Sequence, residues 1–376
     1  MKKLILLLVL SIVAAYGCSE VKFESIPNQQ CLDSPDCVEQ DGLLNYNYTL
    51  RLGKVDILFV NDNSGSMSTE QSKMAARFDK FIETLDSKNI SYQIAMITTD
   101  ISSNPLSPAA DDRAANGYGA FQDGQFLNFN NGSNILTDST SNRVSLFAQA
   151  IQRQETINCE SSPNNYASEG CPSGDERGIY ALNMALDRGN SNFFRDDTHL
   201  AVVILSDEDE RSVGGTADRP LESYDLPETF VAKFKEQFAN RKTLAVHTLI
   251  VKPNDSTCKT EQDAQGNQWI RGAYGTQYAA LSNPNSTLLN YGNLKSGISG
   301  TICASDYANQ LIQIGGNVSE NSKQIQLPCS PVEHEISLDP APASPVDYVI
   351  DGNNLLRFTS DIAAGTNVHV SISCKK

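Results

Sequence analysis

Lys54 to Met67 reads K-V-D-I-L-F-V-N-D-N-S-G-S-M, an apolar run that breaks at once into a short polar loop. Val55 through Val60 are nearly all apolar and rich in β-branched and aromatic types, as expected of a strand covered on both faces in a parallel sheet. In the loop Asp62, Ser64 and Ser66 stand two residues apart, and Gly65 frees the backbone between the hydroxyls so that the loop can curl inward. One carboxylate and two hydroxyls can then converge on one point. Oxygen-only, low-charge donors of this kind suit a hard divalent cation such as Mg²⁺, which demands octahedral geometry and tends to keep some of its water. Ser68 with Gln71 reads as a capping box opening a helix. The cluster therefore falls between a strand's carboxyl end and a helix's amino end, where open α/β folds bind ligands. Taken alone, the stretch also fits a Ser/Asn/Gly loop that does no more than cap a helix.

Outward from this stretch the pattern alternates between strand and helix. Ser68 to Leu85 carries Met74, Phe78, Phe81, Ile82 and Leu85 on one face, and Ile90 to Thr98 reads as a second strand. Residues 101–142 turn to Gly, Asn, Ser, Asp and Pro with Tyr118, Phe121, Phe126 and Phe129 among them. A short edge strand is expected around Phe126 to Phe129, with the segment helping to form a binding rim. Arg143 to Gln154 looks helical, and Ile179, Leu182 and Leu186 mark a helix face with Asp175 and Glu176 just ahead of it, where negative charge is favoured. His199 to Ser206 is the most continuous apolar run of the expected mature chain and reads as the central partner strand. It ends at Asp207, followed by Glu208, Asp209 and Glu210 as a solvated acidic turn, with a second cation there as the alternative. Pro227 to Asn240 reads as an amphipathic helix and Leu244 to Val251 as a buried strand with His247 in the core. An irregular stretch containing Trp269 follows, then a last strand at Ser299 to Cys303 and a closing helix with Tyr307, Leu311, Ile314 and Val318 on one face. The fold class expected is α/β, a doubly wound, mostly parallel sheet flanked by helices. After Asn321 the period falls to two, which indicates a small antiparallel β unit.

The loop D-x-S-x-S after a hydrophobic strand resembles the first motif of von Willebrand factor A domains, where it begins a metal-ion-dependent adhesion site. The longer string V-D-I-L-F-V-N-D-N-S-G-S-M looks like the version carried by bacterial surface lipoproteins of that family. The resemblance implies that Asp207 stands in the place of the family's third-loop aspartate. It also implies that Glu176 stands where the family normally has a Thr. A carboxylate at that position binds a dication more tightly than a hydroxyl, and it could fill the place left open for a partner's acidic side chain. Asp62, Ser64, Ser66, Glu176 and Asp207 are then the expected metal set, for Mg²⁺ or else Mn²⁺ or Ca²⁺. Glu176 read as an ordinary N-terminal helix acid is the alternative.

Lys2 and Lys3 followed by the apolar run Leu4 to Ala15 make an export signal, too short for a mature membrane span. It ends A-Y-G-C, which resembles a lipobox, with Cys18 as the lipidated first residue and ordinary cleavage after Gly17 as the alternative. The division expected is a leader over residues 1–17, a tether over 18–50, the main domain over 51–321 and a β-rich extension over 322–376. If Cys18 carries lipid, eight of the nine cysteines remain to pair in an oxidising compartment, and neighbours suggest Cys31–Cys37, Cys159–Cys171, Cys258–Cys303 and Cys329–Cys374. Zinc is disfavoured because there is no C-x-x-C pair and the four histidines are scattered. A formal charge of −16, more negative still without Lys2 and Lys3, disfavours nucleic acid and anionic lipid surfaces.

The leading expectation is a non-enzymatic, lipid-anchored envelope protein, in the outer membrane and facing periplasm or exterior. It would bind a protein or other macromolecule through its metal, with the partner supplying an acidic side chain. A metal-dependent hydrolase is the first alternative, though no His or Lys is placed near the motif to act as acid or base and no G-x-S-x-G or phosphate loop occurs. An envelope scaffold with an inactive metal site is the second.

Overall fold

The structure, a computed structural model, describes residues 31, 36–101, 122–161, 175–190, 192–195, 198–217, 219–238, 242–265, 272–289, 294–342, 344–352, 354–359 and 362–376. The expected leader, Cys18, Tyr118, Phe121, Cys171 and Trp269 lie outside the described residues.

Strands β1 (Cys37–Gln40) and β2 (Leu43–Arg51) precede β3 (Lys54–Asn61), the strand of the deciding stretch. Helix α1 (Ser68–Ser87) leads to β4 (Ser91–Thr98) and the two-residue β5 (Leu136–Thr137). Then come α2 (Arg143–Ile151), α3 (Gln154–Ser161), α4 (Gly178–Asp187) and β6 (His199–Leu205). Helix α5 (Pro227–Phe238), β7 (Thr243–Ile250), α6 (Ser256–Gln265) and α7 (Thr276–Ser282) follow. The single turn α8 (Ser286–Leu289), the short strands β8 (Leu294–Lys295) and β9 (Ser299–Thr301) and the helix α9 (Ala308–Asn321) complete the α/β part. The chain ends in β10 (Ile325–Gln326), β11 (Pro331–Asp339), β12 (Tyr348–Ile350), β13 (Leu355–Phe358) and β14 (Asn367–Lys375).

The central sheet runs β5-β4-β3-β6-β7-β8, with β9 continuing the edge beside β7. All its pairings are parallel except that of β5 with β4. Gly297 allows the break in that edge, since a Cβ there would lie 1.8 Å from the Val246 carbonyl oxygen. The winding reverses between β3 and β6, so the loops leaving these neighbours flank the crevice where sheets of this order take ligands.

Side-chain alternation explains the layers. Val55, Ile57 and Phe59 of β3 face the core shared with α1, α2 and α9, while Leu58 and Val60 face the one shared with α4, α5 and α7. Phe78 and Phe147 stack at 3.5 Å between ring centroids and Phe59 meets Phe147 edge-on at 4.7 Å, which pins α1 and α2 to β3. Rings packed this way cost about 3–5 kcal/mol each when truncated to alanine. Helix α1 ends where Asn89, at φ 54°, turns the chain toward β4. At the amino ends of the strands, buried Asp56 accepts from Arg195 Nε at 2.7 Å, Thr198 Oγ1 at 2.7 Å and Lys242 Nζ at 2.5 Å. Nothing in the local sequence pattern announces that clamp.

Two expectations need correction. The edge strand is Leu136–Thr137 rather than Phe126–Phe129. Leu127 makes a backbone bond to Met96 beside β4, but Phe126 turns toward Phe193 and Phe129 into the α1 core, and no ladder forms. The stretch expected as a tether, residues 18–50, contains two strands, β1 and most of β2, and β2 belongs to the antiparallel unit. It pairs with β14 from Asn367↔Arg51 to Lys375↔Leu43, and β1 pairs with β2 in turn. Part of the stretch expected as a tether is thus ordered sheet. The four-stranded sheet β1-β2-β14-β11 and the three-stranded β10-β13-β12 enclose a third core containing Leu44, Tyr46, Leu50, Leu356, Val368, Val370 and Ile372.

The bridges Cys31–Cys37, Cys258–Cys303 and Cys329–Cys374 are formed, as an extracellular or surface setting would leave them. Cys159 is also disulfide-bonded. No described helix is long and apolar enough to cross a membrane.

Candidate functional site

Asp62 follows the last residue of β3 and Ser206 and Asp207 follow the last residue of β6, so register alone brings the two loops side by side. Asp62 N–H donates to the Leu205 carbonyl at 3.0 Å. Asp62 is fully buried; its Oδ1 accepts the Ser64 N–H at 2.8 Å and its Oδ2 the Ser206 hydroxyl at 2.6 Å. Ser64 Oγ and Ser66 Oγ lie 3.1 Å apart, and Ser66 Oγ donates to Asp207 Oδ1 at 3.1 Å. A chain of oxygens therefore runs from one loop to the other, at the carboxyl ends of β3 and β6. Gly65 serves it through size rather than dihedral freedom. It opens a 3₁₀ turn over Gly65–Met67, and a Cβ there would stand 3.1 Å from Cys159 Cβ on α3.

The capping box expected at Ser68 does not form: Met67 is the cap of α1 and no side chain caps it. Ser68 Oγ instead donates to Glu160 on α3. Gln71 turns back under the loop, where its Nε2 donates to the Asp62 carbonyl at 2.9 Å and to Thr156 Oγ1 at 3.1 Å. Its Oε1 accepts the Arg153 N–H at 2.9 Å, while Thr156 Oγ1 donates to the Asn63 carbonyl at 2.7 Å. Asn61 Nδ2 donates to the Ile151 carbonyl at 3.0 Å. The serine loop is thereby locked from below by the junction of α2 and α3, an arrangement in which each buried donor finds an acceptor.

The charge balance of the site is one-sided. Burial raises the Asp62 carboxyl above its ordinary range, with the charge of Glu70 adding to the effect. Burial first, then the charges of Asp62 and Glu70, pushes Asp207 well above its own. The fully buried arginines nearby are engaged elsewhere: Arg177 makes a bidentate pair with Asp225 at 2.9 Å, and Arg211 pairs with Asp175 at 2.7 Å. Beside the serine loop, the carboxylate oxygens Asp207 Oδ2 and Glu70 Oε2 are buried with no hydrogen-bond partner.

Glu176 is drawn into the same field and is bonded to the turn that follows Asp207. Its Oε2 accepts the Ser212 hydroxyl at 2.5 Å, and it shares a carboxyl hydrogen bond with Glu208. Burial, together with the charge of Asp62, raises it to about 7. The turn Glu208, Asp209, Glu210, expected to be solvated, is buried. The reason is helix capping at a distance: Glu210 accepts the Ile179 and Tyr180 N–H groups at 2.8 and 3.0 Å, and Asp209 accepts the Gln277 N–H at 3.0 Å. These are the starts of α4 and α7, where unpaired N–H groups and the helix dipole favour an anion. Glu70, Thr156, Ser206 and Ser212 were not singled out as site residues in the sequence. Glu70 and Ser206 adjoin the two motifs, whereas Thr156 and Ser212 carry no local signal.

Among the described residues no three His, Cys, Asp or Glu side chains converge closely enough to form a metal cluster by themselves, so an ion held here would draw on hydroxyl oxygens too. No family model matches the chain, and neither does any curated protein. Solved structures similar to it include the pilus adhesin SpaC from Lactobacillus rhamnosus GG in its open conformation, at a TM-score of 0.36 and 9% identity over 90% of this chain and 41% of that one. Proximal thread matrix protein 1 from the mussel byssus matches at a TM-score of 0.31 and 11% identity, over 75% of this chain and 51% of that one. The chain spans about half the length of these proteins or less, and at such scores the likeness bears on neither fold detail nor function.

Proposed function

We propose that the chain holds a divalent cation in the crevice between β3 and β6 and engages a macromolecular partner through it, as an adhesion protein anchored to a bacterial envelope. The observation that carries this reading is Asp207 Oδ2, a buried carboxylate oxygen without a partner on a group whose other oxygen already takes the Ser66 hydroxyl. A buried anion left in this state is costly, by several kcal/mol in order of magnitude, and a cation is the neighbour that relieves it. Ser64, Ser66 and Asp207 are the residues that would hold the ion. Asp62 stands behind them and keeps the loop in shape through the Ser64 N–H and the Ser206 hydroxyl. Hydroxyl and carboxylate oxygens suit Mg²⁺, with Mn²⁺ or Ca²⁺ as the other candidates.

When bound, the ion supplies a Lewis-acidic point that can accept a carboxylate from the partner. Glu176, paired with Ser212 and Glu208, borders that point and limits how much negative charge a partner can add. This reading keeps the resemblance to von Willebrand factor A lipoproteins, with anchoring through Cys18 to the outer membrane, and it makes the chain a binding protein rather than an enzyme. Metal-dependent attachment of the purified protein to cell surfaces tests it. Attachment should be lost on chelation, restored by Mg²⁺ or Mn²⁺ and absent in Asp207→Asn. Attachment indifferent to chelator and to that substitution would defeat the proposal.

A further inference from the structure

Glu70 lies in the first turn of α1, just past the serine loop, and is fully buried. An acid in a first helical turn is ordinary when water surrounds it, because the helix dipole favours it there. Buried, it needs partners, and this one is poorly supplied. Its Oε1 lies 3.3 Å from Gln262 Nε2 and 3.5 Å from Lys73 Nζ, both long contacts, and its Oε2 has none.

Gln262 also fixes which side of the site Glu70 occupies. Gly272 packs so closely on Gln262 that an added Cβ would stand 2.5 Å from Gln262 Cβ, and the same Cβ would lie 3.6 Å from the Asp207 carbonyl oxygen. The next residue, Ala273, donates its N–H to that carbonyl at 2.9 Å. Glu70 is therefore tied, through Gln262 and Gly272, to the backbone of Asp207, whereas Glu176 is held by Ser212 on the following turn. Two buried, partnerless carboxylate oxygens, on Glu70 and on Asp207, belong to side chains close enough to feel each other's charge.

We infer that Glu70 is a further acidic residue of the cation site, acting on the ion through an ion-bound water rather than by direct contact. The inference rests on the cation reading above. Indirect contact is favoured because Glu70 Oε1 is held by Gln262 and Lys73, and because Mg²⁺ tends to keep its water. Carboxylates of this outer kind orient the ligands and tune the ion, and their loss weakens metal affinity by roughly 10–100-fold.

The test is calorimetric titration of the metal-stripped full chain with Mg²⁺ alone, beside its melting temperature in chelator. Three proteins are compared: the wild type, Glu70→Gln, and Glu83→Gln as a control for general loss of negative charge, since Glu83 is an exposed acid on the same helix. Glu70→Gln should bind Mg²⁺ about 10–100-fold more weakly yet melt no lower than the wild type in chelator, because a buried charge held only by long contacts, with one oxygen unpartnered, has gone. A purely structural Glu70 would instead lower the melting temperature and leave affinity alone. Unchanged affinity in Glu70→Gln, with the wild type binding normally, overturns the inference and leaves the cation reading standing; a wild type that binds no cation overturns both. Should Glu70→Gln not fold, Glu70→Asp replaces it: shortening the stem should weaken binding, and an unchanged affinity there overturns the inference equally.

Discussion

Gln71→Leu tests the claim that the serine loop is held from beneath. The substitution keeps roughly the same volume but removes the side chain that joins the Asp62 carbonyl, Thr156 and the Arg153 N–H. Thr156 can keep its bond to the Asn63 carbonyl, so its loss is small. The Asp62 carbonyl and the Arg153 N–H lose the amide that bonds both. Each buried polar group left unpaired costs about 1–3 kcal/mol, so the expected destabilisation is about 2–6 kcal/mol. At roughly 2–4 °C per kcal/mol for a domain of this size, the melting temperature should fall by about 10 °C. Differential scanning calorimetry in chelator reads this without interference from bound metal. Gln71→Glu, which keeps an acceptor for the Arg153 N–H but sets a buried carboxylate against the Asp62 carbonyl oxygen, should be destabilised at least as much. A shift within about 2 °C for Gln71→Leu would mean that water or backbone adjustment replaces the clamp, and the argument from satisfied partners would fail.

Other outcomes follow from the same structure. Burial lowers His247 to about 3 and holds His199 well below its ordinary value, so both stay neutral in the folded chain while the unfolded chain protonates them. Their contribution to stability is present above about pH 6.5 and is lost as pH falls toward the folded value, by about 1.4 kcal/mol per unit for each. His247→Gln can still accept the Ile298 N–H that His247 Nδ1 takes at 3.1 Å, so its stability deficit relative to wild type should shrink at about that rate between roughly pH 6.5 and 5 in denaturant titrations. A constant deficit would refute the assignment. Replacing both Cys329 and Cys374 by Ser opens a loop of sequence separation 45, worth about 4 kcal/mol by chain entropy, and should speed hydrogen exchange in β11 and β14 while sparing β3 and β6. Uniform acceleration through the chain would show that the antiparallel unit does not open independently.

What the sequence made readable were features with a strong local period. The runs at Val55–Val60 and His199–Leu205 are covered on both faces, so they stand out as unbroken apolar stretches, and the loops that follow them are located with them. Three cysteine pairs were legible for a different reason: each joins cysteines that follow one another in the expected order along the chain, 6, 45 and 45 residues apart. Features that depend on partners far along the chain were not. β2 pairs with β14 across more than three hundred residues, and its alternation alone cannot say which sheet it joins. Glu208–Glu210 reads as a solvated acidic run because nothing nearby in sequence shows that the starts of α4 and α7 will fold over it. Gln71 has the spacing of a capping-box residue, but the backbone groups beneath the loop offered it better partners than its own helix start. The buried Asp56, Arg195, Thr198 and Lys242 group likewise assembles from segments with no shared pattern.

The most direct measurement is calorimetric titration of Mg²⁺ into the metal-stripped wild type and into Asp207→Asn. One-site binding is predicted for the wild type, with a stabilisation of about 2.7 kcal/mol when free Mg²⁺ reaches about a hundred times its dissociation constant. Asp207→Asn should remain folded and take up no ion. Heat of binding that is absent from the wild type, or equal in both proteins, would contradict the placing of a cation between β3 and β6.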